Sequence, residues 1–254
     1  MKHHEITPNL SFSYLGPHLD HGPLPALFYF SLSAEDSLTL APYNTPVTYL
    51  KHLTHEKLRI FSMTIPGHEN NLPKEKAIEY WIQKIKNGID PIFPFISQIC
   101  EVIDYLTNQY VLIEGKIALA GLSRGGYIAT LVAAKHSLCN LVTGFSPLTD
   151  LKLTKGIEGL DGHPLVESLS LSTHLEGLIH AKIRYYIGNR DTRVGTKLAF
   201  DFITNLAELA HEKRVKDGSC ELIIYPSTGF MGHGTPDEIF KEGSLWIEKT
   251  LFFL

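Results

Sequence analysis

The chain has 254 residues, 44% of them hydrophobic, and glycine and proline contents that leave room for one α/β domain with a large core. A formal charge of −4, with no run of like charge, offers no basic field to nucleic acid or to an acidic membrane surface. The first residues lack the apolar core of a signal peptide and no apolar run is long enough to cross a bilayer, so a cytoplasmic protein is expected.

In chain order, residues 6–25 mix short apolar patches with prolines and glycines, which predicts one or two edge strands such as Leu10 to Leu15. Ala26 to Ser33 is a continuous apolar run of the kind found in a strand covered on both faces. The polar stretch Ser33 to Ser37 reads as a loop at its carboxyl end, where open α/β sheets bind ligands. Leu58 to Ile65 is the next strand, stopped by Pro66-Gly67-His68. Ile78, Trp81, Ile82 and Ile85 then repeat at helical spacing, with Pro73 near the start and Gly88 past the end. Asp90-Pro91 reads as a cap followed by a first-turn proline, opening a second apolar stripe from Phe95 to Leu106.

The most informative stretch is Lys116 to Leu131, an apolar strand running into a small-residue helix through Gly121-Leu122-Ser123-Arg124-Gly125. A Gly-x-Ser-x-Gly turn this sharp forces the serine to φ above zero and requires small neighbours where strand and helix nearly touch. Ser123 would then project from the sheet's carboxyl edge, with the backbone N–H groups of the helix start facing any oxyanion formed on an attacked carbonyl. The pattern alone is short enough to arise by chance, so its context must decide.

Beyond it, Asn140 to Phe145 is a short strand, residues 148–181 loosen into amphipathic pieces that read as a small cap or lid, and Ile183 to Ile187 is the following strand. Leu198 to Leu209 marks a helix, Cys220 to Tyr225 the last strand, and Thr235-Pro236-Asp237-Glu238 has the form of a capping box with proline in the first turn. Strands alternating with helices call for a mostly parallel central sheet with helices on both faces. Cys100, Cys139 and Cys220, odd in number and set among apolar residues, read as reduced packing thiols.

Taken together, these features resemble an α/β-hydrolase over nearly the whole chain, and within that superfamily the small esterases and the catalytic domains of prolyl-oligopeptidase-like serine hydrolases. The resemblance implies a nucleophile, an acid and a histidine in that chain order. Gly188-Asn189-Arg190-Asp191-Thr192-Arg193-Val194 is similar to the family's acid loop and makes Asp191 the acid; Gly232-His233-Gly234 matches its histidine loop and makes His233 the base. Asp150 competes with Asp191, since some relatives carry the acid there, although Phe145 to Leu151 also reads as a helix start with a capping aspartate.

The oxyanion hole departs from the pattern. Relatives usually carry His-Gly where this chain has Ser31-Leu32, so one donor is expected from the N–H of Arg124 and the second from Ser33 or Leu32. The Arg124 side chain offers either a grip on a substrate carboxylate or, as ordinary ion-pair usage favours, a pairing with a nearby acid or a solvent-facing position. His18-x-x-His21 and His52-x-x-His55 have ligand-like spacing without forming a zinc-helix motif and read as surface residues. His68 lies in a loop common in the superfamily, and His163, His174 and His180 lie in the expected lid. The expectation is a serine hydrolase of esters or related acyl bonds with no metal or organic cofactor; a peptidase or thioesterase using the same triad, or a silent ligand-binding protein on the same scaffold, are the alternatives.

Overall fold

The computed structural model describes residues 1–69, 72–154, 156–216 and 218–253. Its strands form one eight-stranded sheet in the order β1-β2-β4-β3-β5-β6-β7-β8. These are β1 (Lys2–Thr7), β2 (Leu10–Leu15), β3 (Leu24–Phe30), β4 (Arg59–Ser62), β5 (Leu112–Leu122), β6 (Leu141–Phe145), β7 (Lys182–Gly188) and β8 (Ser219–Tyr225). The β1–β2 hairpin is antiparallel and joins β4 antiparallel, while all pairings from β4 through β3 to β8 are parallel.

Parallel strands need crossovers, and the helices that make them cover both faces. They are α1 (Ala34–Thr39), α2 (Thr45–Thr54), α3 (Ala77–Lys86), α4 (Phe93–Asn108), α5 (Arg124–Lys135), α6 (Pro164–Ser168), α7 (Thr196–Glu212) and α8 (Asp237–Phe253). The division can be read along β3, whose neighbouring side chains point to opposite faces. Phe28 and Phe30 join the larger core with Trp81 of α3, Ile99 of α4, Ile128 of α5 and Phe202 of α7. Leu27 and Tyr29 face the other way, onto Leu50 of α2 and Ile247 of α8.

The local departures from expectation have physical causes. Ser33 to Ser37 is not an open loop: Ser33 caps α1, its hydroxyl accepting the Asp36 N–H. Helix α2 is not predicted because its apolar residues are sparse in sequence, although it packs along α8, with Val47 and Leu50 in one core with Ile247 and Leu251. Asp90 is not the N-cap, a position that Ile92 holds without a side-chain cap bond; Asp90 Oδ1 lies two residues earlier and accepts the N–H groups of Ile92 and Phe93, and the first-turn proline is Pro94 rather than Pro91. Helix α8 starts at Asp237, and the hydroxyl of Thr235 turns instead to Ser146 Oγ and Tyr225 OH.

Residues 148–181, expected as a cap or lid, contain α6 and three short 3-10 turns. Val166, Leu169, Leu171 and Leu178 from this segment are buried in the larger core. No helix among the described residues is long and apolar enough to cross a membrane. Cys100, Cys139 and Cys220 are free thiols, and burial pushes Cys100 up to about 11 and Cys139 higher still.

Candidate active site

The sheet's carboxyl edge is laced so that each strand end fixes the next. Ser123 donates its N–H to Phe145 O at 2.8 Å, Ser146 to Tyr186 O at 2.7 Å, and Asn189 to Tyr225 O at 2.7 Å. The loops after β5, β6 and β7 are thereby held in register with the strands beside them.

At the end of β5 the backbone turns through Ser123 with φ 57° and ψ −116°, a conformation that L residues seldom adopt. Packing over-determines it. A Cβ on Gly121 would lie 2.1 Å from the Gly125 carbonyl carbon, and a Cβ on Gly125 would lie 1.8 Å from Phe30 O of β3. The elbow therefore sits directly against the end of the neighbouring strand, where only glycine fits.

Asp191 lies in the turn after β7, buried to 3% exposure. Its Oδ1 accepts the N–H groups of Arg193 (3.0 Å) and Val194 (3.1 Å), and its own N–H donates to Thr196 Oγ1 (2.9 Å), which fixes the carboxylate's plane. Oδ2 is left to accept from His233 Nδ1 at 2.7 Å. Because that bond requires the proton on Nδ1, Nε2 is free to accept from the Ser123 hydroxyl 3.0 Å away. His233 is presented by Gly232, whose φ is 74° and whose added Cβ would lie 2.2 Å from Arg190 O. The structure thus brings Ser123, His233 and Asp191 into one hydrogen-bonded chain.

Asp150 is elsewhere. It caps a 3-10 turn by accepting the Lys152 N–H and accepts the Ser170 hydroxyl. Of the expected oxyanion donors, Arg124 is the first residue of α5, whose N–H has no acceptor within the helix. Leu32 borders the same cavity as Ser123, but its N–H donates to Ser37 Oγ at 3.0 Å, as does that of Ser31 at 3.1 Å. Ser33 lines a different cavity, of about 880 Å³, beside the β1–β2 hairpin. Ser37 had no role in the sequence reading; nothing local marks a serine that accepts from two residues five and six positions earlier.

Two cavities meet at Ser123. One, of about 350 Å³, is lined by His233, Leu32, Pro42, Tyr43, Thr235 and Phe240 among others. The second, of about 320 Å³, has Ile78, Leu148, Leu153, Val194 and Met231 in its walls. Arg124 and Arg193 line both. Burial, and secondarily the charge of Arg193, brings the Arg124 pKa down to about 10, and its guanidinium lies over the Trp81 ring at 5.8 Å. His68 is buried at 7% exposure behind this region, its pKa lowered to about 4 by burial and by Arg124. No cluster of three or more His, Cys, Asp or Glu side chains able to hold a metal occurs among the described residues.

No family model matches the chain, and no curated protein matches it. Solved structures do. TT1662 from Thermus thermophilus is similar over 96% of this chain and 95% of its own, with TM-score 0.69 and 19% identity. The chain has the α/β-hydrolase fold. Within that fold it is also similar to an acetyl xylan esterase from Paenibacillus sp. (TM-score 0.65, 14% identity, 94% of this chain and 78% of that one). An acylaminoacyl peptidase from Pyrococcus horikoshii aligns with TM-score 0.63 and 15% identity over 94% of this chain and 38% of its own. The chain thus spans little more than a third of that peptidase, and 33% of a putative dipeptidyl aminopeptidase IV from Bacteroides ovatus.

Proposed function

We propose that this protein is a serine hydrolase that cleaves a carboxylic ester or related acyl bond through an acyl-Ser123 intermediate. The observation that carries the reading is the continuous chain from Ser123 Oγ to His233 Nε2 and from His233 Nδ1 to Asp191 Oδ2, at 3.0 and 2.7 Å, facing a cavity. A neutral hydroxyl is a poor nucleophile; His233 takes its proton as Oγ attacks the carbonyl carbon, and Asp191 holds the imidazole and stabilises its charged form. The tetrahedral oxyanion is received by the N–H of Arg124; of the two candidates for a second donor on the β3 side, Leu32 borders the Ser123 cavity and is engaged with Ser37, while Ser33 lines a different cavity. Collapse expels the alcohol, which leaves with the proton from His233. Water then repeats the sequence on the acyl-enzyme, releasing the acid and restoring Ser123. In this reading Leu148, Leu153 and Thr154, from the segment 148–181, wall the acyl side of the site.

Peptide cleavage by the same groups is the second reading. What favours it is that peptidases as well as an esterase stand among the structures with this fold.

Labelling with a fluorophosphonate tests the mechanism. The expected result is one adduct, located by mass spectrometry on Ser123 and absent in Ser123→Ala, with ester turnover falling on the order of 10⁶-fold in the variant. Folded wild-type protein that stays unlabelled would overturn the hydrolase reading.

A further inference from the structure

Given that reading, we infer that Ser146 and Tyr225 are positioning residues for His233: with Thr235 they form a chain of hydroxyls that ties the histidine loop to the turn holding Ser123, and so set the distance over which the proton is passed. The turn is residues 145–148. Phe145 O accepts the Ser123 N–H at 2.8 Å and Ser123 O accepts the Leu148 N–H at 3.1 Å, so the turn engages both polar groups of the nucleophile's backbone. Ser146 stands between those anchors, fully buried, with its N–H donated to Tyr186 O at 2.7 Å.

The Ser146 hydroxyl lies 2.9 Å from Tyr225 Oη and 3.1 Å from Thr235 Oγ1. Tyr225, the last residue of β8, donates to Gly234 O at 3.2 Å, the carbonyl next after His233. One direction of travel satisfies all three protons: Thr235 O–H to Ser146 Oγ, Ser146 O–H to Tyr225 Oη, and Tyr225 O–H to Gly234 O. Each hydroxyl then donates once. Ser146 also has φ 44°, in the left-handed region where an L side chain is strained and glycine is not. Glycine would relieve that strain, so what serine adds at this position is the hydroxyl.

The histidine loop needs such a tie on this side. Its large side chains, Phe230 and Met231, are 80% and 44% exposed, so burial does not anchor it. Toward the acid it is well held: Met231 O accepts both the N–H and the hydroxyl of Thr192, at 2.9 and 3.1 Å, and the Ser227 N–H donates to Asn189 Oδ1 at 3.0 Å. Those bonds set His233 against Asp191 but leave its separation from Ser123 open. Among the described residues, the hydrogen-bonded route from this loop to the nucleophile's turn, besides the 3.0 Å contact of Nε2 with Oγ itself, runs through Ser146. A base displaced by about 1 Å loses on the order of 10²-fold in rate.

The test uses Ser146→Gly and Tyr225→Phe, singly and together; Thr235 is left unaltered because it lines the cavity of about 350 Å³, which Ser146 and Tyr225 do not. Glycine suits φ 44° and phenylalanine keeps the buried ring, so both variants retain the fold while losing one link each. For ester hydrolysis, kcat should fall about tenfold to a hundredfold in each, with KM within about twofold of wild type. The double variant should be no slower than the slower single, because both changes break one chain. Hydrogen exchange across residues 228–235, read by mass spectrometry, should quicken in both variants while β5 and β6 stay protected. Unchanged kcat, a matching rise in KM, or losses that multiply in the double variant would overturn the assignment. The exchange arm does not depend on turnover. Fluorophosphonate labelling of wild-type Ser123 with unchanged kcat and exchange in the variants would defeat the positioning role alone, whereas unlabelled wild type whose variants loosen the loop would defeat the hydrolase reading alone.

Discussion

Two strand-to-helix junctions lie side by side at the sheet's carboxyl edge, and they are built in opposite ways. After β5 the chain turns through Ser123 at positive φ, with glycines on either side that allow it to press against Phe30 of β3. After β3 the chain turns through Ser31, Leu32 and Ser33, where two N–H groups are accepted by Ser37 Oγ and a third by Ser33 Oγ. The first junction accepts backbone strain, costing about 1–3 kcal/mol, and displays a hydroxyl and the unbonded end of a helix. The second uses hydroxyls to quiet its own backbone donors. The difference lies in where the polar groups turn: at the first junction the serine hydroxyl reaches His233 in a distant loop, and at the second the hydroxyls accept N–H groups of their own turn.

The comparison breaks most severely at Gly125. An alanine there places its Cβ against the Phe30 carbonyl oxygen, and neither atom belongs to a flexible side chain that can move aside. Gly125→Ala is expected to destabilise the protein by about 3 kcal/mol or more, with loss of fluorophosphonate labelling, because relief requires the elbow and β3 to part. Denaturant unfolding measures the first effect; a midpoint matching wild type would show that the two junctions are not in hard contact.

A smaller effect is expected on the quiet side. Ser37→Ala leaves the N–H groups of Ser31 and Leu32 without their acceptor in a buried turn, a cost of about 1–3 kcal/mol. Ester turnover should change by less than about tenfold if Ser33 rather than Leu32 supplies the second oxyanion donor, since removing a true donor costs roughly 10²–10³ in kcat. A loss of that larger size, with the fold intact by circular dichroism, would mean that Ser37 positions the donor and that the quiet junction is part of the chemistry.

How much of this was legible follows from how local each device is. The elbow is spelled out within five residues, Gly121 to Gly125, and the part of β5 that leads into it, Ile117 to Ala120, is an unbroken apolar run, so the strand-to-helix turn could be read directly, while the strand's start at Leu112, beyond Glu114 and Lys116, could not. The strands β3, β4 and β6 were equally plain because burial on both faces leaves continuous hydrophobic segments, while β8, at the sheet's edge, is only half-buried. Asp191 and His233 needed the resemblance, because their meeting depends on two loops 42 residues apart. The closure of the β3 junction was not legible: it depends on the direction of one serine hydroxyl, and Ser33 to Ser37 looked like a polar loop. Nor was Arg193 distinguishable from any exposed arginine until the fold set it beside Arg124.

The smallest expected effect lies behind the elbow, at His68. This imidazole is buried after β4, and burial together with the Arg124 cation lowers its pKa from the ordinary 6.5 to about 4. Between those two values the unfolded chain binds a proton at this side chain and the folded protein does not, so stability rises with pH across that window. His68 should therefore contribute nothing to pH dependence above about 6.5, and acidification from there toward 4 should progressively destabilise the protein. His68→Asn removes the titration while keeping a polar side chain of similar reach. Thermal unfolding followed from pH 7 to 4 is expected to show a shallower fall for the variant than for wild type. Superimposable slopes would mean that His68 is protonated in the folded state too, and that the cation beside it does not reach it.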